Sequence, residues 1–372
     1  MLMTEKKRIA PPKRLMYGPG PSMVEPRAYE AMGQTLTGIR DPYFLSVMNE
    51  IRSGLRQGFG TSNERTFTVP ASGSGAMEAA VGNFVLPDSK FVVFSAGQFA
   101  DRVVAMGRRQ RAKVAVCEKT WGEIFTGAEA EAFIEAERPD VVAFVQAETS
   151  TGAYQSGKAI AAAAHKAGAL VIADCVTSLG AMPVEIDAVG IDVTYSCAQK
   201  GLSCPCGLSP ISISPKAWEW LEKRPVDPFT WYLDLRLLAN YFDPPHQYHH
   251  TPSPPLYYAM HQALAVIEEE GLENRWERHK RTGQRFVSGL QKLGFEPLVK
   301  NAADRIWHIS AVLPPPGVDE AVLRERLMDG YDIEIAGGLG KLTGKILRIG
   351  IMGPLATEES VDFLLASIAA SL

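Results

Sequence analysis

Between about residues 65 and 215 the chain repeats one pattern: a short apolar run rich in β-branched and aromatic residues, then a stretch with helical spacing. The runs are RTFTVPA, KFVVFS, KVAVC, VVAFVQA, ALVIAD, DVTYS and LSPISIS; the helical stretches include Gly75 to Leu86, Gln98 to Arg109, Gly127 to Glu137 and Lys158 to Ala167. Strands this apolar have no face to give to water, so they predict an α/β fold with a mostly parallel sheet covered by helices on both sides. In such sheets ligands collect where loops leave the carboxyl ends of the strands.

The remaining length asks for more than this one unit, because 372 residues exceed the ~150 of a typical domain. From 225 to 256 the composition shifts to Pro, His and aromatics (PVDPFTWYLDL, then YFDPPHQYHHTPSPP), a proline density that no regular core element tolerates. A long helical stretch follows from about Leu256 to Leu293, with Gly271 as a joint. Then come strand-like RIWHISAVL, a helix near Asp319 to Met328, strand-like YDIEIA and KILRIG, and a closing helix from about Thr357 to Ala370. This pattern divides into an N-terminal arm over 1–20, a large domain over 21–270 and a smaller C-terminal α+β domain over 271–372.

Charge and composition narrow the function classes. With 38 Lys and Arg against 42 Asp and Glu, the net charge of −4 offers no field to attract nucleic acid or an anionic membrane. No apolar run approaches the ~18 residues of a membrane span. The basic start, MLMTEKKRIAPPKRL, lacks the apolar core of a secretory signal, and Glu5 with Pro11-Pro12 spoils a transit helix. Five cysteines are an odd set without a paired framework, which suits a reducing compartment and predicts a cytoplasmic protein. Cys197, Cys204 and Cys206 cluster, but there is no Cys-x-x-Cys pair and no second half-site, so no metal is expected.

Three segments carry candidate chemistry. Ser72-Gly73-Ser74-Gly75 follows a strand and opens a helix, which makes either a phosphate cradle of free amides or a plain capped helix start. Asp174 ends the run ALVIA, where a carboxylate is costly unless a cation faces it; the alternative is a cap for the following turn. Lys200 stands among small residues after DVTYS, where burial would lower its pKa and make the amine a nucleophile; the alternative is an ordinary snorkelling lysine. Together, in this order, they are what pyridoxal 5'-phosphate requires: a phosphate cradle, a carboxylate for the pyridine nitrogen, and a Schiff-base lysine. Phe99, placed in the loop after FVVFS, can cover the ring.

The wording of GPGPS (18 to 22), SGSGAMEAA (72 to 80), ETSTG (148 to 152), DCVTSLG (174 to 180), YSCAQKGL (195 to 202), QYHHTPSPPLY (247 to 257), EEGLENRWERH (269 to 279) and YDIEIAGGLGKLTGKILRIGIMG (331 to 353) resembles the class V, fold-type I aminotransferases over almost the whole chain. Within them the resemblance is to the alanine-glyoxylate and serine-glyoxylate group. It implies Lys200 and Asp174 as catalytic residues. It further implies that Ser72, Gly73, Ser74, Phe99, Thr149, Val176, Gln199, Tyr248 and Thr251 bind the cofactor, the last two across a homodimer interface with shared active sites. Arg348 is implied as the grip on the substrate carboxylate, with Gly20 and Ser178 near the substrate. The activity implied is transfer of an amino group from alanine, or serine, to glyoxylate in a ping-pong reaction. Cys197-Ala198 departs from the Gly-Ser that the family often has there. Two other possibilities are a lyase or desulfurase on the same scaffold, disfavoured because no cysteine lies beyond Cys206, and a cofactor-free binding protein.

Overall fold

A computed structural model describes residues 9–372. The seven apolar runs form one sheet, ordered Arg65–Val69, Ser209–Ile213, Val193–Tyr195, Leu170–Asp174, Val141–Val145, Lys90–Ser95 and Lys113–Glu118. Ser209–Ile213 runs antiparallel to both neighbours and the other pairings are parallel, so the sheet is mostly parallel. Helices Gly73–Phe84, Gln98–Arg109, Gly127–Glu137 and Lys158–Lys166 make the crossovers. Phe91, Val92, Val141, Val142, Val171 and Ile211 are buried in one apolar core between the layers.

Two helices lie where the apolar runs gave no warning. Pro42–Phe59 follows an Asp41 cap, with Pro42 at its first position, and buries Phe44, Val47, Met48, Ile51 and Leu55 along one face. Leu235–Phe242 corrects the expectation that residues 225–256 hold no regular core element. Asp234 caps its first turn, and Leu235, Leu238, Ala239 and Phe242 are buried, so the prolines flank a short core helix rather than exclude one. The long stretch after it is two helices, Pro254–Glu270 and Leu272–Lys292, divided at Gly271.

A second sheet, ordered Glu296–Pro297, Ile309–Leu313, Leu347–Gly350 and Ala336–Gly337, is antiparallel throughout. Its own core gathers Phe286, Leu290, Val312, Leu323, Leu347, Ile349, Leu364 and Ile368. The N-terminal segment joins this second unit: Leu15–Met16 pairs in parallel with Ile333–Glu334, and the Gly350 amide donates to the Tyr17 carbonyl at 2.7 Å. Residues 1–8, the basic start of the expected arm, lie outside the described residues. Among the described residues no helix is long and apolar enough to cross a membrane.

Candidate active site

Register brings several segments to one edge of the large sheet. Val145, Asp174 and Tyr195 are lateral partners at the carboxyl ends of three parallel strands, so Gln146 to Thr149, Asp174 to Val176 and Ser196 to Lys200 leave the sheet side by side. Val69, opposite Ser209 of the antiparallel strand, ends at the same edge and leads into Ser72 and Gly73. This is the crevice predicted from the order of strands and helices.

Lys200 is 8% exposed, and burial holds its amine down at about 8 against the usual lysine range, with the nearby Arg348 charge acting in the same direction. Its Nζ donates to the Pro19 carbonyl. Gly20 lies against the same side chain: at φ +123°, a Cβ there would sit 2.5 Å from the Lys200 Cδ and Cε. No other residue type could occupy that position without displacing the lysine.

Asp174 combines the two readings that its sequence position left open. Oδ1 accepts from the Val176 amide at 2.9 Å, the turn cap, while Oδ2 is buried and has no partner among the described residues. Burial pushes this carboxyl up to about 7, against the opposing effect of the Val176 amide. Lys200 is close enough for its charge to favour the carboxylate, so the two groups share one electrostatic site.

The helix start at Ser72 is not a plain cap. Ser72 stands at the N-cap position, yet its side chain makes no cap hydrogen bond, and Ser74 Oγ instead accepts from Arg102 Nη1 at 2.8 Å. Gly73 is buried with both serines exposed, and among the described residues the amides of Gly73 and Ser74 make no hydrogen bond. Val176 packs at this start, 3.3 Å from where a Gly73 Cβ would stand. The Gln199 side-chain oxygen is buried without a partner among the described residues.

Phe99 sits in the first turn of the helix Gln98–Arg109 rather than in the preceding loop. The Arg102 guanidinium lies over its ring, 4.9 Å from the centroid, and so links it to Ser74. The Thr149 and Thr177 hydroxyls pair at 2.5 Å, and the Ser178 hydroxyl donates to Gln146 at 2.5 Å. Arg348 is buried in the central strand of the small sheet; Nε donates to the Gly337 carbonyl at 2.8 Å and Nη1 to the Thr149 carbonyl at 3.4 Å. Its Nη2 makes no hydrogen bond among the described residues, leaving an edge open to a carboxylate.

Among the described residues, Tyr248 and Thr251 make no hydrogen bond to these groups. Tyr248 is 56% exposed, and its hydroxyl pairs with that of Thr251 at 2.8 Å. Beside them His249 stacks on Trp231 with centroids 4.5 Å apart, and among the described residues no three His, Cys, Asp or Glu groups gather as metal ligands would.

Two residues escaped the sequence reading. Glu148 is buried, accepts from the Phe99 and Ala100 amides at 3.2 Å and from the Ser150 hydroxyl at 2.5 Å, and so anchors the helix that carries Phe99. Its position in ETSTG, ahead of three hydroxyl residues, was the available signal. Arg102, three residues after Phe99 on the same helix, was legible only as helix spacing.

A family model described as aminotransferase class-V matches residues 29–364. The chain belongs to this family. Class V aminotransferases use pyridoxal 5'-phosphate, and the donors present fit it: a nucleophilic lysine, a buried carboxylate oxygen without a partner, and free amides at a helix start. The alanine–glyoxylate aminotransferase of Oryctolagus cuniculus is 36% identical over 370 residues, covering 99% of this chain and 94% of that protein. The (S)-ureidoglycine–glyoxylate transaminase of Bacillus subtilis is 30% identical over 388 residues, covering 100% and 93%. The crystal structure of an alanine–glyoxylate aminotransferase from Nostoc sp. superposes with a TM-score of 0.97 at 40% identity, covering 99% of this chain and 97% of that one.

Proposed function

We propose that this class V aminotransferase moves the amino group of alanine to glyoxylate, with Lys200, Asp174 and Arg348 as the acting residues. The observation that carries the proposal is their convergence: a lysine amine held near 8, a carboxylate oxygen without a partner and an arginine edge open to a ligand, all within one electrostatic site. Relatives that share this activity by name, over nearly the whole chain, support the choice of substrates. The test is a panel crossing alanine, serine and (S)-ureidoglycine with glyoxylate and pyruvate. Alanine with glyoxylate is expected to give the highest kcat/KM, and a preference for another donor would sink the assignment.

Pyridoxal phosphate, when bound, supplies an electron-accepting ring conjugated to the substrate α-carbon. Lys200 would hold it through its Nζ, and the same amine, in its neutral form, would serve as the base for the substrate α-proton. Asp174 Oδ2 would hold the ring nitrogen and keep a proton on it, and would gain in return the cation that its burial lacks. Phe99 and Val176 would pack on the ring, and Thr149 would serve the ring hydroxyl. Ser72, Gly73, Ser74 and Gln199 would hold the phosphate through the free helix-start amides and nearby polar groups. Arg348 takes the substrate carboxylate in a two-pronged bond and turns the α-hydrogen toward the lysine, with Gly20 and Ser178 beside the substrate. Residues 21–270 then form the cofactor domain, and 271–372 the domain that brings Arg348.

Arg348→Ala is expected to lower kcat/KM for the amino donor about a hundredfold or more, the scale of a lost charged hydrogen-bonded pair, with cofactor content unchanged. Steady-state kinetics beside an absorbance titration of bound cofactor would read both.

Because the neutral amine is the reactive form, capture of cofactor by the apoenzyme should accelerate about tenfold per pH unit below about 8 and level off above it. Stopped-flow mixing of apoenzyme and pyridoxal phosphate across pH 6 to 10 checks this, and a rate independent of pH would contradict it.

The exposed pair Tyr248 and Thr251 is assigned to the phosphate site of a second copy, which makes the functional unit a homodimer with shared sites. A light-scattering mass equal to one chain would end this assignment. Cytoplasmic residence is proposed on the unpaired cysteines, and cell fractionation tests it.

A further inference from the structure

Arg275 is 3% exposed and belongs to none of the groups assigned above. Its nitrogens serve three partners: Nε donates to the Gly180 carbonyl at 2.9 Å, Nη2 to the Gly201 carbonyl at 2.8 Å, and Nη1 to the Glu270 carboxylate at 2.9 Å. Gly180 closes the segment that begins at Asp174, and Gly201 directly follows Lys200. The two turns press backbone on backbone. A Cβ on Gly201 would lie 2.3 Å from the Leu179 carbonyl oxygen, and one on Gly180 would lie 2.9 Å from the Gly201 carbonyl. Two buried carbonyls from separate loops each need a donor, and one planar guanidinium satisfies both in a fixed geometry that a lysine cannot reproduce.

The same helix, Leu272–Lys292, also grips the other half of the site. His279 Nδ1 donates to the Arg275 carbonyl at 2.7 Å, which leaves its Nε2 lone pair to accept from the Gly353 amide at 3.1 Å. Arg278 Nη1 donates to the Gly353 and Ala356 carbonyls at 2.9 and 3.0 Å. Gly353 lies just beyond the strand Leu347–Gly350 that bears Arg348. Glu270 accepts from both Arg275 and Arg278 and holds the two guanidiniums on one side of the helix.

We infer that Arg275 is a positioning residue for transamination: by bridging Gly180 and Gly201 it fixes the Lys200 loop against the Asp174 segment, and its helix ties both to the Arg348 strand. It thereby sets the distance between the lysine amine and the substrate carboxylate. The role rests on the proposed assignment of Lys200 as the cofactor-bearing residue.

The test compares Arg275→Lys and Arg275→Gln with Arg285→Gln on the same helix, which removes only surface pairs with Asp362 and Glu358. Arg278 still pairs with Glu270 in both Arg275 variants, so no carboxylate is stranded. Both Arg275 variants are expected to lose tenfold or more in kcat, with the donor KM within twofold of the parent. In the holoenzyme the amides of Ala181, Ser203 and Cys204 should exchange hydrogen for deuterium faster, while Arg285→Gln changes neither readout. Should the Gln variant not fold, the Lys variant, which keeps the charge, carries the test alone. Full kcat in Arg275→Lys, or unchanged exchange at those amides, would overturn the role. Borohydride reduction and peptide mapping of the parent enzyme separates the two layers. Label on another lysine removes the underlying assignment, whereas label on Lys200 with normal kcat in Arg275→Lys removes only the role of Arg275.

Discussion

Lys200→Ala is expected to reduce transamination by roughly 10^5, the scale on which removal of a covalent catalyst is felt. Nothing nearby can replace it: Gly20 presses on the side chain from one side, and the adjacent cation, Arg348, is occupied at Gly337 and cannot act as a base at working pH. The protein should still hold pyridoxal phosphate without a covalent bond, because the helix-start amides and Asp174 are untouched. An absorbance spectrum therefore separates loss of chemistry from loss of the cofactor. A variant that kept even one-hundredth of parental kcat with cofactor bound would remove Lys200 from the mechanism.

Asp174→Asn should cost roughly 10^3 in kcat, comparable with loss of a preorganised charge in an enclosed site, because an amide cannot keep a proton on the ring nitrogen. The same substitution is expected to stabilise the apoprotein. A carboxyl raised from the ordinary range to about 7 is bound to its proton more tightly in the folded chain than in the unfolded one. Above pH 7 the folded state therefore carries the full penalty of an unpaired buried charge, a few kcal/mol at ~1.4 kcal/mol per pH unit of displacement. The penalty shrinks as pH falls and vanishes below about 4. The gain in thermal midpoint of apo Asp174→Asn should accordingly be largest at pH 8 and absent near pH 4. A gain that is flat across pH, or no gain, would show that Oδ2 is not bare in the apoprotein.

How far the molecule could be read from its residues depended on whether a feature is local. The strands of the large sheet were legible because each is an apolar run bounded by turns, and Asp174 and Lys200 were legible because they interrupt such runs with charge. The helix Pro42–Phe59 carries equally local signals, a capping Asp41 and buried positions at helical spacing, but its mean polarity hides them behind the strands that follow. Leu235–Phe242 was obscured by the prolines on either side. Arg275 was out of reach for a different reason: it sits in an unremarkable polar context, and its meaning lies in carbonyls that only the folded backbone brings near it. Glu148 had one local signal, the hydroxyl run after it, but the amides it holds are likewise brought near only by the fold.

The ladder between Leu15–Met16 and Ile333–Glu334 sets the order in which a newly made chain can complete itself. Residues 15–22 are made more than 300 residues before their partners, Ile333, Gly350 and the Ser360 carbonyl that accepts from the Tyr17 hydroxyl. Pro19 and Gly20, which wall Lys200, therefore take their final place only after residue 350 has been made. Loop closure over more than 300 residues is slow. A nascent chain stalled before residue 333 would hold Asp174, Lys200 and a complete large sheet and still expose the lysine to passing aldehydes, so the arrival of the small-sheet strands serves as the checkpoint for a sealed amine.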